Sequence, residues 1–183
     1  MTMKTVLIVV LSWVALQLTG CATLSENECR SADWQAIGYR DGANGYDAGR
    51  LASHTEACAE YGIDPDRREY ETGRFRGLEI FCTAQKGVQV GRQGGGYSGV
   101  CPVDIEPAFL DGYDLGRRMY EIDQYLSRLR QDIDQTQIAL DQKDPPLKDS
   151  ERDRLIYRLR DLERDYGRSE SDLRQLEMRG RRF

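Results

Sequence analysis

The chain has a single histidine, His54, four residues before Cys58. On a helix that spacing puts an imidazole and a thiol on one face. Thiolate and imidazole are zinc ligands. No CxxC pair accompanies them, and an oxidising compartment would pair the thiols instead, so no metal is expected. Four cysteines, Cys29, Cys58, Cys82 and Cys101, form an even set that suits two disulfides with three possible connectivities. Cys82 and Cys101 flank a glycine-rich segment, and closing a loop of that size is worth about 3 kcal/mol in the entropic account. That favours Cys82–Cys101 with Cys29–Cys58, though sequence alone leaves the choice open. Gly94, Gly96 and Gly99 satisfy GxGxxG, but Pro102 follows where a dinucleotide site needs a helix. This stretch reads as a loop, with a short hairpin between Val88–Val90 and Tyr97–Val100. Ser98 lacks the GxSxG frame of a nucleophile elbow, because Val100 stands two residues after it. No catalytic constellation emerges and no cofactor is implied. His54, Asp41 and Trp34 are left as candidates to line a small-ligand site.

The elements that would position these residues are marked by glycine. Fifteen of the eighteen glycines lie between Gly38 and Gly116. Trp34 precedes Gly38 and Gly42, Tyr70 precedes Gly73 and Gly77, and Phe109 precedes Gly112 and Gly116. Gly45 and Gly49 add a fourth GxxxG. Glycines four apart share one helical face and let a second helix approach closely. Arg40, Asp41, Arg74 and Arg76 interrupt the motifs and rule out a membrane span there. The pattern predicts short helices crossing at glycine faces, with His54 near the end of a helix over Leu51–Tyr61. The alternative is a groove of bare backbone that admits a ligand.

After Tyr120 the composition turns to Arg, Asp, Glu and Leu, with two glycines and no cysteine. Leu115, Met119, Ile122, Leu126, Leu129, Ile133, Thr136 and Leu140 alternate spacings of four and three, a heptad seam. Pro145-Pro146 end that helix, and Asp149 or Ser150 can cap the next. A second seam runs Leu155, Leu159, Leu162, Tyr166, Ser169, Leu173, Leu176, Gly180. Pairing about the prolines would set Leu129 against Leu162 and Ile133 near Leu159. The expected fold class is mainly all-α: a glycine-rich, disulfide-stapled helical base over 29–110, then a long antiparallel coiled-coil hairpin over 111–183 with its turn near 144–148.

The first twenty residues carry one charge, Lys4, then an apolar run from Val6 to Leu18 broken by Ser12 and Gln17. This has the form of an export signal and is short for a membrane span of about 20 apolar residues. Leu18-Thr19-Gly20-Cys21 resembles the lipobox of bacterial lipoproteins. The resemblance implies a signal peptide over 1–20 and a mature chain that begins at lipidated Cys21, followed by a tether over 21–28. Acyl chains, palmitate among them, would then hold the protein to a membrane. Ala22 rather than Asp after that cysteine implies the outer membrane, with the mature domain facing the periplasm. Loss of the leader would leave 25 basic against 31 acidic residues. That mild acidity gives no electrostatic reason to bind nucleic acid.

The base also resembles an uncharacterised family of lipoproteins, domain of unknown function 2799. The residues that carry the likeness are Cys29, Asp33-Trp34, Gly38, Asp41-Gly42, Gly45, His54, Cys58, Tyr70, Gly73, Gly77-Leu78, Cys82 and Tyr97 to Pro102. The family implies no activity and no catalytic residue. Two functions follow as expectations. The first is a structural or interaction lipoprotein whose hairpin meets a protein partner or another copy. The second is a ligand-binding or hydrolytic lipoprotein with a site near His54. The sequence favours the first over any enzyme.

Overall fold

A computed structural model describes residues 23–143 and 145–183. The signal, Cys21 and Asp144 lie outside the described residues. Those residues form seven helices and no strand: α1 Glu26–Arg30, α2 Trp34–Ala43, α3 Arg50–Ala59, α4 Arg67–Phe81, α5 Ala84–Arg92, α6 Glu106–Leu140 and α7 Asp149–Gly180. None is long and apolar enough to cross a membrane. The all-α expectation holds, and both disulfides have the favoured connectivity, Cys29–Cys58 and Cys82–Cys101.

The chain divides into two compact units, Met1–Leu78 and Glu79–Phe183. The base and hairpin of the sequence reading were divided at residue 110. That position falls inside α6, one continuous helix that carries both a glycine crossing and the heptad seam.

In the first unit α2 crosses α4 backbone to backbone. A Cβ on Gly38 would sit 2.0 Å from the Tyr70 carbonyl oxygen, and one on Gly77 would sit 2.2 Å from that of Tyr39. The second unit repeats the device with α5 and α6. A Cβ on Gly87 would lie 2.1 Å from the Phe109 carbonyl oxygen, and one on Gly112 would lie 1.9 Å from that of Ala84. Both units follow one plan. A disulfide joins the segment before the first crossing helix to the segment before the second. A fully buried aromatic, Tyr70 or Phe109, opens the second helix's glycine face. The first helix ends on the same turn in both, closed by a left-handed glycine, Gly45 or Gly94.

Two expectations are thereby corrected. Val88–Val90 is helical, not one arm of a hairpin. Thr83 caps α5 by accepting the Lys86 N–H at 3.2 Å, and backbone contact with α6 offsets the roughly 1 kcal/mol that each helical glycine costs. Gly45 and Gly49, conversely, make no crossing. Gly45 turns the chain after α2, and Gly49 precedes α3 with only Asp47 near.

The segment expected as a tether is also ordered from Thr23. Leu24 is buried in a core with Cys29, Ile37, Leu51, Cys58 and Tyr70. Ser25 caps α1 with Glu28 in a reciprocal capping box.

In the second unit α6 and α7 pack as antiparallel helices of 35 and 32 residues, each about 50 Å long. Leu115, Met119, Leu126, Leu129 and Thr136 of the α6 seam are buried. The register differs from expectation. Gly180 packs against Met119 and Leu115, and Arg130 reaches the Tyr166 hydroxyl. These contacts shift α7 by between one and two turns from a Leu129–Leu162 pairing, because the link of eight residues from Asp141 to Lys148 is not a tight turn. The cap of α7 falls one residue before the expected pair: Lys148 is the N-cap, and Glu151 accepts its backbone N–H at 3.2 Å.

Candidate functional site

The first unit holds a polar cluster inside its core. Asp41 comes from the last turn of α2, His54 from the middle of α3 and Tyr70 from the first turn of α4. Thirteen and twenty-nine residues separate the partners. The Asp41 Oδ2 accepts from the Tyr70 hydroxyl at 2.8 Å and lies 2.8 Å from His54 Nε2. On the other side His54 Nδ1 lies 2.8 Å from Thr23 Oγ1, which also sits 3.1 Å from the Ser53 carbonyl oxygen. Exposure is 4% for Asp41, 2% for His54 and none for Tyr70. A buried carboxylate must be paired to be tolerated, and here two donors converge on one oxygen.

The proton positions follow from the partners. With neutral His54, Nε2–H donates to Asp41 and Nδ1 accepts from the Thr23 hydroxyl. With protonated His54, both ring nitrogens donate, and the Thr23 hydroxyl turns to the Ser53 carbonyl. Burial, and next the hydrogen bond to Asp41, raise the Tyr70 phenol well above the usual tyrosine range. Hydrogen bonds from Ser25 N–H and Oγ–H, at 2.8 and 2.7 Å, hold the Glu28 carboxyl below its usual value.

Thr23 and His54 open onto a cavity of about 270 Å3, whose polar wall includes Glu28, Arg40, Asn44 and Arg50. Arg50 lies over the Tyr46 ring at 4.5 Å, and its buried Nε has no hydrogen-bond partner among the described residues. The structure thus brings together two sequence candidates, His54 and Asp41, and leaves Trp34 apart. Trp34 is half-buried against the apolar core with Ala32, Tyr61 and Ile63. Cys58 is held in its disulfide and is not available beside His54 as a ligand. Among the described residues no three His, Cys, Asp or Glu side chains form a metal cluster.

Thr23, Tyr70 and Arg50 were not singled out as site residues. Tyr70 was read only as the aromatic before a glycine pair. Thr23 and Arg50 carried no motif at all; only the fold gathers them.

Residues 33–118 match the family model described as Protein of unknown function (DUF2799). The DUF2799 match starts at the N-cap of α2 and stops within α6. It takes in Asp41, His54, Tyr70 and both glycine crossings, and it leaves out Thr23 and α7. No curated protein and no solved structure matches the chain.

Proposed function

We propose that this protein is a membrane-anchored lipoprotein of the bacterial envelope, held by acyl chains on Cys21, whose α6–α7 hairpin serves as an interaction surface. The partner is a protein or a second copy of the chain. One observation carries the reading: the whole α7 seam, from Leu155 to Gly180, is only half-buried, and no α7 residue is buried. The facing ridge of α6 is largely buried. A groove of about 390 Å3 lies between the helices, lined by Leu126, Arg130, Tyr166 and Leu173 among others. Tyr157 and Met178 are exposed along the same helix, at 66% and 60%. The lipobox residues support the anchor, and the paired cysteines suit an oxidising compartment such as the periplasm.

Two measurements in intact cells test this reading. Metabolic labelling with a clickable palmitate should mark the wild type and not Cys21→Ser. Photo-crosslinkers at Tyr157 and Met178 should give discrete adducts, whereas one at Tyr39 in the first unit should give none. Label on the serine variant overturns the anchor. Adducts from Tyr39 alone overturn the hairpin as the docking surface.

A further inference from the structure

The two units supply an internal control. Where α2 presents Asp41 one residue before the second glycine of its crossing, α5 presents Val90. Where α4 opens with Tyr70, α6 carries Phe109. No helix in the second unit stands in the place of α3 and His54. Tyr97 packs on Phe109 there instead, with ring centres 4.7 Å apart. A disulfide-closed glycine crossing therefore forms around an apolar core, without a buried carboxylate or imidazole. The polar cluster of the first unit is not needed to build the fold, and burying it is costly. Asp41 and His54 lie against the cavity.

From these features we infer that the cavity of the first unit binds the zwitterionic phosphoethanolamine headgroup of a membrane lipid. Arg50 and Arg40 hold the phosphate, and Glu28 faces the ammonium. The inference rests on the proposed anchoring at Cys21 for the source of the headgroup. Arg50, half-buried over the Tyr46 ring, lines the cavity, and guanidinium groups suit phosphate oxygens. No carboxylate lies within 4.0 Å of either arginine among the described residues. Glu28 on the same wall is ionised and disfavours a purely anionic ligand. Asp41 is already engaged by His54 and Tyr70.

Under the proposed anchor at Cys21, chain connectivity sets this cavity near lipid. Cys21 precedes Thr23 by two residues, so their Cα atoms are at most about 7 Å apart. The headgroup layer on each face of a bilayer is about 5–7 Å deep. Leu24 and Ser25 pin the following segment, so the cavity cannot drift away on a long tether.

The test uses the full protein purified from membranes in detergent, titrated by calorimetry with glycerophosphoethanolamine. We expect one saturable site. Arg50→Gln and Arg40→Gln should each weaken it by about tenfold, the loss of a charge-assisted contact. Arg168→Gln on α7 should not change it. Arg40 is exposed, so its variant folds whether or not Arg50→Gln does. Glycerol 3-phosphate, which lacks the ammonium, should bind more weakly. Absence of saturable binding, or binding indifferent to both arginine variants, overturns the site. Hydrogen exchange on protein reconstituted into vesicles addresses the source. Amides from Arg40 to Arg50 should be protected in phosphatidylethanolamine and not in phosphatidylglycerol. Equal exchange in the two overturns the lipid source. Palmitate label on Cys21 with no headgroup binding leaves the anchor standing and removes this site alone.

Discussion

Tyr70 and Phe109 occupy matching places in the two units, both fully buried, and differ by one hydroxyl. In the first unit that hydroxyl donates to Asp41. Tyr70→Phe keeps the ring and removes one of the two donors that share the Asp41 Oδ2, so it should destabilise the protein by about 1–2 kcal/mol near neutral pH. The same group sets an alkaline limit. The Tyr70 phenol is raised by burial and by Asp41, and that of Tyr97 by burial and by its bond to Glu106. Below about pH 10 both tyrosines are protonated, folded or unfolded, and their contribution is fully present. Above that the unfolded chain ionises first, so stability falls as pH rises. Urea unfolding followed at neutral and strongly alkaline pH should show this decline in the wild type and a shallower one in Tyr70→Phe, with Tyr97 supplying the remainder. An unchanged slope in the variant would detach the pH dependence from Tyr70. His54 and Asp41 stood out in the sequence as site candidates, but their union with Tyr70 did not, because it takes the packing of three successive helices to bring the three side chains to one point. His54 was visible as the only histidine, but its spacing from Cys58 suggested a metal pair that the disulfide forecloses.

Glycine carries the design of the crossing helices, and here the sequence was half-readable. The pairs at Gly38/Gly42, Gly73/Gly77 and Gly112/Gly116 stood out behind their aromatic residues. Gly87/Gly91 did not, because the glycine run that follows made the whole segment look like a loop, and no aromatic introduces it. The heptad seams needed no tertiary knowledge, since alternation of three and four fixes a helical stripe by itself. Their register did, because the link between the helices could not be measured from the prolines. The crossings make a sharp prediction about elements. A methyl on Gly77 would meet the Tyr39 carbonyl oxygen at 2.2 Å and the Ala43 nitrogen at 2.6 Å. Backbone cannot turn aside as a side chain can, so Gly77→Ala should cost about 3 kcal/mol or more, at or above the usual range for overpacking. Gly167 on α7 has nothing within 4 Å of its added methyl. Gly167→Ala should therefore stabilise by up to about 1 kcal/mol through helix propensity alone. Thermal unfolding of the two variants beside the wild type decides it. Equal effects would mean that the glycine faces do not set the approach of α2 to α4.

At the scale of the whole molecule, the division into two units predicts that they can be uncoupled. Each has its own disulfide, its own glycine crossing and its own buried aromatic. Leu129 lies mid-seam on α6 and is 4% exposed. Burial of such a leucine contributes about 2 kcal/mol, and a carboxylate in its place adds the cost of desolvating a charge. Leu129→Asp should therefore unravel the distal half of α6 together with α7. The Cys82–Cys101 loop and the α5–α6 crossing lie at the other end of that helix and should hold, and the first unit should remain intact. The control must be a position without a cross-helix role. Arg130 is unsuitable, since its guanidinium lies over the Tyr166 ring at 5.5 Å and bonds the Tyr166 hydroxyl. Gln131 is exposed and makes no side-chain hydrogen bond among the described residues, so Gln131→Asp should change little. Circular dichroism should report a large loss of helix in Leu129→Asp and almost none in the control. Limited proteolysis should then cut the leucine variant after about Tyr120 and spare the fragment that carries both disulfides, which mass spectrometry would identify. Cleavage within residues 29–78 as well would mean that the two units fold as one. An intact helical signal would mean that the seam does not hold α7 at all.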